Sequence, residues 1–121
     1  MKTYEFKSID SFMQTISKGV SVFYCCTSWS SACRSQQQVM TMVALLHEEQ
    51  ATVFQADMAR FPELGTYLAI QSVPTTVIFE NGVEVKRLIG CQPAEKLHAV
   101  IGAVTPSLRF DGRDEAKSLS V

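Results

Sequence analysis

The sequence predicts an α/β domain with a central mixed β-sheet of four to five strands flanked by helices. Stretches with apolar residues at helical spacing alternate with short runs of β-branched and aromatic residues. The run Val20–Cys26 is almost wholly apolar, as expected of a strand that is buried on both faces. Two later runs are joined by Asn81-Gly82, the dipeptide typical of a tight hairpin, so at least one strand pair is antiparallel.

The elements of the first half follow from apolar spacing and from capping residues. A short strand is predicted at residues 3–6, and Ser8 caps a short helix that ends before Gly19. After Val20–Cys26, the longest helical pattern covers residues 32–50. Its predicted apolar face consists of Val39, Met40, Met42, Val43 and Leu46.

The second half contains three predicted strands and two predicted helices. Pro62 is expected near the start of the first of these helices, because proline fits the first helical turn. The first predicted strand covers residues 52–56, and the helix after it covers residues 63–69. The two hairpin strands cover residues 75–79 and 83–89, and the closing helix covers residues 93–104. Residues 1–105 form the predicted domain, and the polar residues 106–121 form a C-terminal tail.

Charge and composition exclude several classes of function. Of the 121 residues, 46% are hydrophobic and 19% are charged, and the formal net charge is −1. This charge offers no electrostatic reason to expect binding to nucleic acid or to an anionic membrane. No apolar run is long enough to span a bilayer, and the N-terminus lacks the apolar core of a signal peptide. We therefore expect a cytoplasmic protein.

The four cysteines form no C-x-x-C pair, so neither a zinc site nor a disulfide framework is expected. His47 and His98 are far apart in the sequence and do not supply a paired-ligand motif. Neither a metal ion nor another cofactor is therefore predicted. Cys25 and Cys26 are expected to fill the core, since neighbouring strand residues point to opposite faces and a disulfide between them would distort the peptide. A contact between Cys26 and Cys33 stays open.

The most informative segment is Trp29-Ser30-Ser31-Ala32-Cys33-Arg34, which lies between a buried strand and the long helix. A Val73-Pro74 pair precedes the hairpin. This arrangement resembles the thioredoxin family, whose motif reads W-C-G-P-C-K. The resemblance covers residues 3–104 and implies a thioredoxin-like fold with a cis-proline at Pro74.

The resemblance assigns catalytic positions to Ser30 and Cys33. In the family, the first cysteine of the motif attacks disulfides and the second resolves the mixed disulfide. Ser30 stands at the attacking position, and a serine hydroxyl does not exchange with disulfides. Ser30 either donates a hydrogen bond to a Cys33 thiolate or simply caps the helix. Cys33 is either a reactive cysteine, whose thiolate form the helix dipole favours, or a buried and inert cysteine.

Two other positions depart from the family near its redox centre, and a third matches it. Tyr24 stands where the family often has a buried acid, and core packing is its expected role, although its hydroxyl could bond a thiol or a serine. Gln38 replaces a proline, so the long helix should lack the family's kink. Arg34 matches the basic residue that follows the family's second cysteine, and it either favours a neighbouring thiolate or is solvated.

The resemblance also implies a substrate groove made by Trp29, Val73, Pro74, Gly90 and Cys91. Trp29 would border the groove, and the backbone of Val73 would pair with an extended substrate. Cys91 would face the same groove, where it could pair with Cys33, pair with a partner's cysteine, or have no role. The distance between the cysteines decides among these alternatives.

Three functions follow as alternatives. The first is a monothiol S-x-x-C protein for cell redox homeostasis that forms mixed disulfides with protein or peptide thiols and has little disulfide reductase activity. The second is a non-redox interaction or dimerisation module on the same fold. The third is an ordinary thioredoxin disulfide reductase in which Ser30 has replaced the attacking cysteine. In each case a monomer or weak dimer is expected.

Overall fold

A computed structural model describes residues 1–104, so the expected tail at 106–121 lies outside the described residues. No helix in the described range is long and apolar enough to cross a membrane. The strands and helices alternate in chain order as β1 (Lys2–Thr3), α1 (Ile9–Thr15), β2 (Val20–Cys26), α2 (Ser31–Leu46), β3 (Ala51–Asp57), α3 (Pro62–Tyr67), β4 (Thr75–Glu80), β5 (Val83–Ile89) and α4 (Ala94–Val104).

The five strands form one mixed sheet in the order β1-β3-β2-β4-β5. The β1–β3 and β2–β3 pairs are parallel, whereas β2–β4 and β4–β5 are antiparallel. The predicted α/β fold with a mixed central sheet is therefore confirmed. Because β2 is the middle strand, its C-terminal end carries the following loop to the centre of one sheet edge.

Alternation along β2 divides the core into two layers. Tyr24 and Cys26 face the layer that also contains buried residues of α2 and α4. Phe23 and Cys25 face the layer covered by α1 and α3. All seven residues of β2 are buried, as the apolar run predicts. The site residues that follow β2 therefore lie over a fully formed core.

The β4–β5 hairpin has the predicted tight turn. Asn81 and Gly82 have φ angles of 51° and 88°, and a two-residue turn of this type requires positive φ at both positions. The Asn81 side chain also accepts a hydrogen bond from the Gly19 amide at 2.8 Å. The hairpin is thus tied to the loop that precedes β2.

Two predicted boundaries and one predicted face are wrong. The first strand is Lys2–Thr3, where it pairs with β3, and not residues 3–6. The long helix ends at Leu46, because the chain turns at His47, whose carbonyl accepts the Ala51 amide at 2.9 Å. Met42 and Leu46 are 55% and 63% exposed and do not belong to the core. Apolar spacing alone cannot show which side of a helix faces the sheet.

Candidate active site

Ser30 is the N-cap of α2. It has an extended backbone, and its hydroxyl oxygen accepts a hydrogen bond from the Cys33 amide at 3.1 Å. Its carbonyl accepts the Arg34 amide, as the carbonyl of an N-cap residue does. The hydroxyl is therefore engaged with the backbone of Cys33, which is the capping alternative expected from the sequence. No disulfide chemistry is available to this side chain.

Cys33 lies in the first turn of α2 and is only 2% exposed. Its sulfur accepts a hydrogen bond from the Thr27 amide at 3.4 Å. The Thr27 hydroxyl is buried and, among the described residues, has no hydrogen-bond partner. A partner molecule can reach the Cys33 sulfur only if the first turn of α2 opens locally, which helix ends do more readily than helix centres.

Tyr24 lies beneath the motif and is fully buried. Its hydroxyl donates a hydrogen bond to the backbone carbonyl of Cys33. Burial raises the pKa of Tyr24 well above its ordinary value, and the thiolate charges that Cys26 and Cys33 can carry raise it further. The phenol therefore stays protonated near neutral pH and acts as a donor that holds the first turn of α2, not as a proton acceptor.

Cys25 and Cys26 are free thiols on opposite faces of β2. Burial raises the pKa of Cys25 to about 12 and the pKa of Cys26 to about 11. For Cys26 a hydrogen bond from the Gln55 amide, at 3.5 Å from the sulfur, opposes this rise. Both groups are therefore protonated near neutral pH, and only Cys26 shares a core layer with Cys33.

The predicted groove residues come from three loops. Trp29 is 70% exposed just before the cap of α2. The Val73–Pro74 peptide bond is cis, and the carbonyl of Pro74 accepts the Gly90 amide at 2.8 Å. A cavity of about 370 Å³ opens beside Val73 and is lined in part by Met58. The structure thus brings the proline loop and the loop after β5 into direct contact.

Cys91 is exposed and lies against the start of α2. Its thiol donates to the carbonyl of Ala32 at 3.5 Å. Gly90, just before it, has a φ of 87°, a conformation that favours glycine. The chain turns there, and Cys91 is carried from the end of β5 to the motif. The Cys91 thiol therefore lies beside the motif, and each of its three expected roles stays a prediction.

Gln36 is a site residue that the sequence did not reveal. Its buried side-chain amide donates to the carbonyl of Gln92 at 3.0 Å, and its oxygen accepts the Gln92 amide. These bonds connect α2 to the loop that carries Cys91. In the sequence, Gln36 is the first of three consecutive glutamines, and only its position on the buried side of α2 distinguishes it from Gln37.

Arg34 lies on the exposed side of the motif. Its guanidinium donates to the carbonyl of Ser28 at 3.0 Å. This bond closes the loop between β2 and α2, so Arg34 stabilises the loop and is otherwise solvated. Downstream, α2 continues without interruption through Gln38, as the absence of a proline there predicts.

His47 and His98, although distant in the sequence, are direct neighbours in the structure. Nε2 of His47 lies 2.9 Å from Nδ1 of His98, which connects the end of α2 to α4. Burial, followed by the charge of His98, lowers the pKa of His47. Within residues 1–104, no group of three or more His, Cys, Asp or Glu side chains is arranged to hold a metal ion.

Comparisons with known proteins find thioredoxins by family model, by sequence and by structure. The family model described as Thioredoxin matches residues 4–103. A thioredoxin of Alicyclobacillus acidocaldarius is 35% identical over 77 residues, which cover 64% of this chain and 73% of the relative. The thioredoxin of Malassezia sympodialis has a similar fold, with a TM-score of 0.74, 21% identity and coverage of 85% of this chain and 93% of that chain. Mitochondrial thioredoxin 3 of Saccharomyces cerevisiae matches with a TM-score of 0.75 and 16% identity, over 85% of this chain and 94% of that chain.

Proposed function

Because the chain belongs to the thioredoxin family, we propose that it forms mixed disulfides with cysteine-bearing proteins or peptides through a monothiol S-x-x-C site. Cys33 is the thiol of this site and Ser30 caps the helix that carries it. The two-thiol cycle of the family is absent at the motif, so disulfide reduction is slow. The protein serves thiol–disulfide homeostasis by holding or exchanging thiols.

One observation carries the proposal. The Ser30 hydroxyl stands where an attacking thiol would stand and is bonded to the Cys33 amide at 3.1 Å. A hydroxyl is far too weak an acid to act as a thiolate-like nucleophile near neutral pH. The one cysteine of the motif is 2% exposed, so exchange at Cys33 requires local opening and is slow.

The residues of the predicted groove support the proposal that it binds an extended segment of a partner protein. Trp29 offers a large exposed aromatic surface of the kind that anchors protein interfaces. Val73 lies two residues before β4, and we expect its backbone to pair with an extended partner strand. The cavity of about 370 Å³ beside Val73 has room for one side chain of the partner. Pro74 and Gly90 hold the two loops in contact.

A non-redox interaction module is a second candidate, and the burial of Cys33 favours it. In that case the same groove binds partners and no sulfur reacts. We also propose a cytoplasmic location and a monomer or weak dimer. All four cysteines are free thiols, and a reducing compartment keeps them in that state.

Two assays test the monothiol function. The first measures insulin reduction by turbidity for the wild type, for Ser30→Cys and for the control Ser31→Cys, which places a thiol at the wrong spacing. We expect the wild type to stay near the uncatalysed rate and Ser30→Cys to exceed it by at least about tenfold, because a thiol then stands at the attacking position and Cys33 can resolve the intermediate. A wild type as fast as Ser30→Cys would contradict the monothiol description.

The second assay asks whether a mixed disulfide forms at all. The native protein is incubated with oxidised glutathione or a peptide disulfide, and the products are identified by mass spectrometry. An adduct or disulfide that involves a site cysteine supports the redox function. Binding of an extended peptide without any modification of sulfur in the native state would instead establish the non-redox module.

A further inference from the structure

The loop that carries Cys91 is held on both sides of this residue. On one side, the Gly90 amide donates to the carbonyl of Pro74 at 2.8 Å. On the other side, the backbone of Gln92 is bonded twice to the buried amide of Gln36. An exposed thiol between two such attachments has a defined position. Its sulfur rests against the carbonyl of Ala32.

This position places Cys91 close to Cys33. A carbonyl oxygen lies about 2.8 Å from the Cα of the next residue in a trans peptide. Since the Cys91 sulfur is 3.5 Å from the oxygen of Ala32, it lies within about 6.3 Å of the Cα of Cys33. A disulfide requires its two Cα atoms to lie about 4.4–6.8 Å apart, and the Cys33 sulfur is buried, so the bond forms only after the first turn of α2 opens and the loop moves toward it.

We propose that Cys91 is the nucleophile that first binds the partner and that Cys33 then resolves the mixed disulfide. The proposal rests on the proposed function in that it requires cysteine-bearing partners in the groove, and it moves the first attack from Cys33 to Cys91. It places the accessible thiol on the loop after β5 and the buried thiol in α2. The pair replaces the two cysteines that a C-x-x-C motif would supply within one turn of helix.

The chemistry is ordinary thiol–disulfide exchange. The Cys91 thiolate attacks one sulfur of a partner disulfide, and the other sulfur leaves as a thiolate that takes a proton from water. Cys33 then loses its proton to water and attacks the Cys91 sulfur. The mixed disulfide breaks, the second partner sulfur leaves as a thiol, and Cys33–Cys91 remains as a disulfide. A low-molecular-weight or protein dithiol returns this disulfide to two thiols.

The local structure favours Cys33 over Cys25 and Cys26 as the thiol that attacks the mixed disulfide on Cys91. Cys33 lies in the first turn of α2, and its sulfur is held by a single hydrogen bond from the Thr27 amide. Helix ends open more readily than helix centres. Cys25 lies in the opposite core layer, and Cys26 is the last residue of the central strand, where its sulfur accepts a hydrogen bond from Gln55. Cys33, which lies at a helix end next to the Ala32 carbonyl that the Cys91 thiol contacts, is therefore the thiol placed to resolve the mixed disulfide.

The experiment follows one turnover with a peptide disulfide and mass spectrometry. For the wild type we expect transient addition of the peptide to Cys91, followed by a protein about 2 Da lighter than the reduced form, with Cys33 and Cys91 linked. Cys33→Ser should accumulate the adduct on Cys91. Cys91→Ser should react at least about tenfold more slowly, because only buried thiols remain. Far-UV circular dichroism verifies that the variants are folded, and Cys33→Ala repeats the trapping.

A second readout examines how Cys91 is positioned. Gln36→Ala should slow closure of the Cys33–Cys91 disulfide relative to the control Gln37→Ala, because the loop is then no longer attached to α2. Adducts that form on Cys33 at equal rates in the wild type and in Cys91→Ser would overturn the inference and leave the proposed function intact. A wild-type adduct that stays on Cys91, with no Cys33–Cys91 disulfide, would overturn the inference and would also move the mixed disulfide from Cys33 to Cys91. No adduct in any variant would overturn both.

Discussion

The buried side chain of Gln36 in α2 donates to, and accepts from, the backbone of Gln92 in the loop after β5. One amide side chain thus satisfies both backbone groups of a residue on another element. This link joins the helix that carries Cys33 to the loop that carries Cys91. Together with the hydrogen bond from the Cys91 thiol to the Ala32 carbonyl, it connects the two elements, and it makes Gln36 the first residue to test.

Gln36→Ala should lower the free energy of unfolding by about 1–3 kcal/mol, because the peptide groups of Gln92 lose their partners in a partly buried position. Gln37→Ala, at an exposed position of the same helix, should stay within about 0.5 kcal/mol of the wild type. Urea unfolding followed by circular dichroism measures both variants. Equal stabilities of the two variants would show that the Gln36–Gln92 link does not contribute.

Tyr24→Phe removes the hydroxyl that donates to the carbonyl of Cys33. We expect a loss of about 0.5–1.5 kcal/mol in the free energy of unfolding, the usual net contribution of an internal hydrogen bond. Tyr67→Phe is the matched control, since the Tyr67 side chain is half exposed. Hydrogen exchange should also be faster in the first turn of α2 in Tyr24→Phe alone. Unchanged exchange there would argue against a holding role for the phenol.

Ser30→Ala removes the N-cap of α2. The Cys33 amide then has no acceptor from the cap, and we expect a loss of about 1 kcal/mol in the free energy of unfolding. Ser31→Ala, one residue further along in the exposed first position of the helix, should have little effect. Thermal unfolding by calorimetry compares the two. If the Ser31 variant loses as much stability as the Ser30 variant, the capping role is wrong.

The His47–His98 pair predicts a dependence of stability on pH. The folded state lowers the pKa of His47 below its unfolded value of about 6.5, so the unfolded chain binds more protons as the pH falls below that value. Stability should therefore be fully present above about pH 6.5 and decrease at lower pH. Protonating both rings also places two donors face to face across 2.9 Å.

Denaturant unfolding at pH 7.5 and at pH 5.5 measures this effect, with values on either side of the unfolded pKa of about 6.5. His98→Gln should reduce the difference between the two conditions, because the neighbouring charge is absent. The role of the pair would be contradicted if the wild type were as stable at the lower pH as at the higher pH. It would also be contradicted if the stability of His98→Gln changed with pH as much as that of the wild type.

The order and type of the elements could be predicted from the sequence for physical reasons that act locally. Val20–Cys26 is apolar throughout because both of its faces are buried, and Asn81-Gly82 tolerate the positive φ angles that the hairpin requires. The ends of the helices could not be predicted to the residue. The end of α2 at Leu46 depends on a turn at His47 that packing and backbone bonding determine.

The site was predicted in part. The positions of Trp29, Ser30, Cys33 and the Val73-Pro74 pair follow from one motif and its spacing. The link between Gln36 and Gln92 could not be foreseen, because it joins residues of two elements that only the packing of α2 beside the loop after β5 brings together. The same is true of the two histidines.

By itself, the sequence determined the α/β fold, the family and the absence of a second thiol in the motif, since each depends on residue types at short spacing. Tertiary structure alone decided that Cys33 is buried, that Tyr24 donates to its carbonyl and that Cys91 lies against Ala32. These facts depend on how separate elements pack. No periodic pattern along the chain predicts which side chains are buried at the edge of the sheet or which residues they contact there.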